Sequence, residues 1–197
     1  TGETGQVANN MEFAANPRRV RTLTHNLYPE LMNTPLTKAV PKILIIYTGG
    51  TVGMIYDERL GTLRPLEFAE IKDNVPEIYR LGYHFYIYPF AAPIDSSDMN
   101  PEVWVALAEI IEENYQYYDG FVILHGTDTM SYTASALSFM LENLAKPVVL
   151  TGSQLPIGKI RTDARENIIT AIEIAAARHP GGAAVVPEVC ILFDFRL

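Results

Sequence analysis

The chain has 197 residues, 48% of them hydrophobic and 19% charged, which excludes a disordered segment and suffices for one large core. The formal net charge of −8 at pH 7 argues against nucleic acid as the main partner. Cys190 is the only cysteine, so no intrachain disulfide is possible, and no Cys/His cluster has the spacing of a metal site.

Residues 1–41 read as an N-terminal arm, polar and interrupted by Pro17, Pro29, Pro35 and Pro41. One short helix is expected around Asn26–Met32, and the basic run Arg18, Arg19 and Arg21 reads as solvated. From Lys42 the texture changes. Ile43 to Tyr47 is a β-branched run without polar alternation, the pattern of a strand buried on both faces. It ends in Thr48-Gly49-Gly50-Thr51. Gly53 to Pro65 reads as a hairpin or flap, and Tyr83 to Tyr88 as a second strand.

A helix is expected to start at Asn100 as cap, with Pro101 in its first turn. Trp104, Leu107, Ala108, Ile111 and Tyr115 give it one apolar face. Gly120 to Leu124 is another buried strand, ending in His125-Gly126-Thr127-Asp128-Thr129. The next helix carries Met130, Ala134, Leu137, Leu141 and Leu144 on one stripe. Pro147 to Leu150 is a strand ending in Thr151-Gly152-Ser153. A helix over about Asp163–Arg178 and a strand over Val189–Phe193 close the chain. This alternation predicts an α/β domain over 42–197, with a mostly parallel sheet and helices on both faces. The longest apolar runs are strand-sized, so no membrane span is expected.

Ligands of such sheets bind beyond the carboxyl ends of the strands. Four hydroxyl-rich turns fall there: Thr48–Thr51, Asp95–Ser97, Thr127–Thr129 and Thr151–Ser153. Thr48 is the candidate nucleophile, because glycines after it permit a sharp turn and their amides suit a developing oxyanion. The alternative is a plain strand-ending turn. The stretch fits neither G-x-x-x-x-G-K-[ST] nor G-x-G-x-x-G, so a phosphate loop is not expected. Thr127 and Asp128 offer a second hydroxyl and a carboxylate for an ammonium group, although one of Thr127, Asp128 or Thr129 is expected to cap the following helix. His125 reads as packed and hydrogen-bonded rather than as a triad base. Cys190 reads as a packing residue.

Four stretches resemble the L-asparaginase family, and specifically its cytoplasmic type I branch: YTGGTVGM (47–54), PIDSSDMNPEVW (93–104), the run 119–156 containing HGTDTM, and RTDARENI (161–168). The resemblance covers roughly 42–197 and implies a flavodoxin/Rossmann-like N-terminal domain. It implies a cofactor-free hydrolysis of L-asparagine to aspartate and ammonia by a homo-oligomer, dimer or tetramer. On this resemblance Thr48 matches the nucleophile that forms an acyl-enzyme. Thr127 matches a second essential threonine, and Asp128 the acid that binds the substrate α-amino group. Asp95, Ser96 and Ser97 match the segment gripping the α-carboxylate and amine, and Tyr56 is the nearest candidate for a flap tyrosine.

Three departures accompany the likeness. The family's catalytic lysine follows the strand that corresponds to Val189–Phe193, beyond Leu197. A smaller C-terminal domain normally follows, and the flap does not align cleanly. Little or no activity is therefore expected of residues 1–197 alone. Two other readings compete: a tRNA-dependent amidotransferase subunit, which shares the TGGT and GTDT turns, and a catalytically silent amino-acid-binding module.

Overall fold

The computed structural model describes residues 40–65 and 73–197. The expected helix at Asn26–Met32 and the arginine run lie outside the described residues. The described residues form seven strands: β1 (Lys42–Gly49), β2 (Met54–Asp57), β3 (Thr62–Pro65), β4 (His84–Ile94), β5 (Gly120–Leu124), β6 (Val148–Thr151) and β7 (Val189–Ile191). Among the described residues three longer α-helices accompany them: α1 (Pro101–Asn114), α2 (Met130–Met140) and α3 (Ala164–Ala176).

The main sheet has the order β4-β1-β5-β6-β7, and each pairing is parallel. β2 and β3 form a separate antiparallel hairpin. The mostly parallel α/β architecture read from the sequence is therefore observed. Parallel neighbours need a covering connection, and α1, α2 and α3 lie between β4 and β5, β5 and β6, and β6 and β7.

Alternation along the strands sorts the core into two layers. Ile43, Ile45, Tyr47, Val122, Leu124 and Val149 pack under α3, against Ile168, Ala171, Ile172 and Ala175. Leu44, Ile46, Phe121, Ile123, Val148 and Leu150 pack under α1 and α2, against Leu107, Ile111, Ala134 and Leu137. Burial on both faces is why β1 and β5 read as unbroken apolar runs.

β4 runs to Ile94, well past the expected Tyr88, and takes in Pro89 and Pro93. It lies at the sheet edge, where an imino nitrogen leaves no ladder bond unmade. α2 stops at Met140, short of the stripe residue Leu144. Leu141 has left helical geometry, and Asn143 sits at φ 57, in the left-handed region that asparagine tolerates.

Counting only main-sheet strands, the chain visits β1, moves outward to β4, then crosses to the other side of β1 for β5. The topological switch point therefore lies between β1 and β5, with β4 alongside. Three connecting turns converge there.

Candidate active site

A cavity of about 380 Å³ opens at this switch point. The turn after β1 contributes Gly50, Thr51 and Met54. The end of β4 contributes Pro93 through Ser96, and the turn after β5 contributes Gly126, Thr127 and Asp128.

Glycines let the three turns interlock. Gly49, at φ 141, lies so close to Ile94 that a Cβ would strike the Ile94 backbone. Gly50, at φ 82, would place a Cβ 2.6 Å from Gly126 Cα. Gly126 in turn faces Ser96, whose Cβ would stand 2.6 Å from an added Cβ. Both the positive φ values and the close approaches demand glycine at 49 and 50.

These torsions reverse the roles of the two threonines flanking the pair. Thr48 is still part of β1, is fully buried, and donates its hydroxyl to the Leu124 carbonyl at 3.0 Å. It does not line the cavity. Thr48, expected as the nucleophile, is thus placed outside the cavity, with its hydroxyl tying β1 to β5. Thr51, on the far side of the glycines, lines the cavity. It opens the 3₁₀ turn Thr51–Gly53, which is pinned from below by the Tyr47 hydroxyl donating to the Gly53 carbonyl at 2.9 Å. Burial pushes the Tyr47 phenol up to about 12, so that donor stays protonated across the physiological range.

Thr127 and Asp128 face the cavity as expected, and neither caps α2. The N-cap is Thr129, but its hydroxyl donates to the Ser96 carbonyl at 2.6 Å instead of to the helix. The expectation that one of these three side chains caps the helix is thus not met. Thr129 instead ties the β5 turn to the β4 turn, leaving Thr127 and Asp128 free for the cavity.

Asp95 and Ser96 also line the cavity, whereas Ser97 does not. Ser97 acts on Asp95: its backbone N–H and its hydroxyl both donate to Asp95 Oδ1 at 2.9 Å. The N–H first, then the hydroxyl, holds the Asp95 carboxyl below its ordinary range. Tyr56 is half exposed on β2, outside the cavity lining, with Lys159 Nζ 5.4 Å from its ring centroid. The flap residue at the cavity is Met54, not Tyr56.

The fourth hydroxyl turn is excluded. Thr151 is buried and donates to the Leu192 carbonyl at 2.9 Å, and Ser153 donates to the Leu155 carbonyl at 2.7 Å. His125 is fully buried, with Nδ1 2.7 Å from the Gly126 carbonyl and Nε2 2.9 Å from Thr133 Oγ1. Burial lowers its pKa, and the Gly126 bond opposes that shift in part. It is packed and hydrogen-bonded, as expected. Cys190 is held well above the thiolate range, up to about 11, first by burial and then by Glu188.

The fold and cavity define a class: a doubly wound α/β domain whose switch-point pocket combines hydroxyls with carboxylates. Within that class, the description "Asparaginase, N-terminal" matches residues 42–197, and the chain belongs to the asparaginase family. It is 46% identical over 156 residues to L-asparaginase 1 of Escherichia coli (strain K12), covering 79% of this chain and 44% of that protein. The crystal structure of L-asparaginase I from Vibrio cholerae superposes with a TM-score of 0.69 at 44% identity, over 79% of this chain and 45% of the other. The probable cytoplasmic L-asparaginase of Campylobacter jejuni gives 0.60 at 31% identity, over 73% and 42%. The chain thus spans less than half the length of these relatives. No helix among the described residues is long and apolar enough to cross a membrane.

Proposed function

We propose that this chain forms the substrate-holding α/β domain of an L-asparagine amidohydrolase, with Thr51 as the nucleophile. The observation that carries this reading is the convergence of Thr51, Thr127, Asp128, Asp95 and Ser96 on one small cavity. Two carboxylates suit the α-ammonium group of a zwitterion, and the hydroxyl and amides of the 95–97 turn suit its α-carboxylate. Held at that end, the side-chain amide of asparagine is directed to the threonine pair.

In the proposed reaction, Thr51 Oγ attacks the amide carbon as its proton is withdrawn. Backbone N–H groups of the glycine turns stabilise the oxyanion. The C–N bond breaks, nitrogen takes a proton, and ammonia leaves an ester on Thr51. Water hydrolyses that ester to aspartate and regenerates the hydroxyl. Thr127 stands beside the reacting centre as the second hydroxyl. No cofactor enters.

Among the described residues, the cavity lining contains no amine or imidazole. Of the three described lysines, Lys42 opens β1 at the far end of the strand, Lys146 donates to the Tyr115 and Tyr118 carbonyls, and Lys159 lies over Tyr56. An unassisted threonine hydroxyl is a weak nucleophile near neutral pH. Slow turnover by residues 1–197 alone, with retained amino-acid binding, belongs to this proposal. So do a two-domain parent, homo-oligomeric assembly and a cytoplasmic setting. Residues 42–197 are proposed as one domain, with 1–41 as an arm.

Asp128→Asn tests the reading through binding. Loss of a charge-assisted bond to the α-ammonium is expected to weaken L-aspartate binding about 10- to 100-fold, from roughly 1.5–3 kcal/mol. Isothermal titration calorimetry measures it. Unchanged affinity for the variant contradicts the assignment.

A further inference from the structure

We propose that His125 is a positioning residue that aims the Thr127 backbone N–H into the cavity by holding the Gly126–Thr127 peptide plane from behind. This rests on the proposed substrate site but uses groups outside it.

The hydrogen bonds have only one consistent direction. The Gly126 carbonyl can only accept, so the 2.7 Å contact requires a proton on His125 Nδ1. A neutral ring then leaves a lone pair on Nε2, and Thr133 Oγ1 donates to it across 2.9 Å. Thr133 Oγ1 accepts in turn from Trp104 Nε1 at 3.0 Å, since an indole nitrogen only donates. Trp104 on α1 thus orients the Thr133 hydroxyl on α2, which fixes one imidazole tautomer at the end of β5. His125 and Thr133 are both fully buried, so neither partner exchanges freely with water.

The consequence reaches the cavity through one peptide unit. The Gly126–Thr127 peptide is trans, and in a trans peptide C=O and N–H point in opposite directions. With the Gly126 carbonyl turned inward to the imidazole, the Thr127 N–H is turned outward, toward the side lined by Gly126, Thr127 and Asp128. Among the described residues, no hydrogen bond uses that N–H as a donor. A flip of this one plane would aim a carbonyl, instead of a donor, at bound substrate.

The test compares two isosteres in the 197-residue chain. Asparagine places an amide N–H near the Nδ1 position, and glutamine places one near Nε2. His125→Asn is expected to keep the peptide plane, and His125→Gln to lose it. The readouts are the ¹⁵N shifts of the ring nitrogens in the unmodified chain, the Thr127 amide shift, and L-aspartate affinity with folding checked by circular dichroism.

The inference predicts an Nδ1–H tautomer, a Thr127 amide little moved in His125→Asn, and a large displacement with at least about fivefold weaker binding in His125→Gln. It is overturned by an Nε2–H tautomer, or by two folded variants that behave alike. If both variants unfold, Thr133→Val decides: retention of the Nδ1–H tautomer with an unmoved Thr127 amide overturns the relay, and loss of both supports it. Thr127 amide changes without any L-aspartate binding would uphold the positioning role and contradict the proposed function instead.

Discussion

Thr48 and Thr51 stand on either side of two glycines, and their hydroxyls have different employment. Thr48 Oγ1 donates to the Leu124 carbonyl inside the sheet, whereas Thr51 lines the cavity. Thr48→Val therefore removes a buried donor and leaves the Leu124 carbonyl unpaired, an expected loss of about 1–3 kcal/mol. Urea unfolding measures that loss, and asparagine hydrolysis by the assembled enzyme should survive it. Thr51→Val should leave stability within about 0.5 kcal/mol and reduce hydrolysis by at least about 10³-fold. The reverse pattern would restore Thr48 to the reaction. Sequence alone marked this turn but did not tell which of its two threonines lines the cavity. The choice depends on Gly49 at φ 141 and Gly50 at φ 82, torsions a Thr-Gly-Gly-Thr string permits but does not specify. Thr127 and Asp128 could be placed near the sheet end because they follow β5, whose buried, non-alternating pattern is plain, whereas β4, ahead of Asp95 and Ser96, is largely exposed and was read only to Tyr88. The side-chain cap expected of Thr127, Asp128 or Thr129 is not made, because the Thr129 hydroxyl finds its partner at Ser96, 33 residues away.

The helices and hairpin are set by local side-chain bonds of quite different kinds. α1 is capped conventionally, with Asn100 Oδ1 accepting from the Val103 N–H at 3.1 Å. Asn100→Ala should lower stability by about 1 kcal/mol, read as a shifted urea midpoint at constant slope. The β2–β3 hairpin is organised by Asp57, which accepts from the Arg59 and Leu60 N–H groups and from Arg64 Nε. The Arg59 bond first, then Leu60, with smaller help from Arg64, holds this carboxyl below its ordinary value. The folded pKa lies below the unfolded one, so the stabilisation is fully present above the ordinary carboxylate pKa of about 3.9 and is lost as pH falls through the lowered value. The Arg59 and Leu60 amide shifts should titrate with a midpoint below that of a free aspartate. A midpoint at or above it would show that Asp57 does not hold the turn. The flap was legible as a hairpin from Gly61 and its polar neighbours, but the outward placement of Tyr56 was not. That depends on contact with the loop bearing Gly158 and Lys159, about a hundred residues further on.

At the scale of the whole molecule, strand order decides which turns can cooperate. The sequence displayed four hydroxyl-rich strand ends and placed them on one edge of a parallel sheet, but it does not reveal lateral order. In the observed order β4-β1-β5-β6-β7, three of those ends meet at the switch point. The fourth, after β6, turns its hydroxyls back to the Leu192 and Leu155 carbonyls. The central claim is that the turns after β1, β4 and β5, and not that after β6, make one amino-acid pocket. Titrating the ¹⁵N-labelled chain with L-aspartate and mapping amide shifts tests it directly. Saturable perturbations are expected at Gly50–Thr51, Asp95–Ser96 and Gly126–Asp128, with Thr151–Ser153 little changed. Perturbations centred on Thr151–Ser153, or none at any ligand concentration that the chain tolerates, would contradict the account.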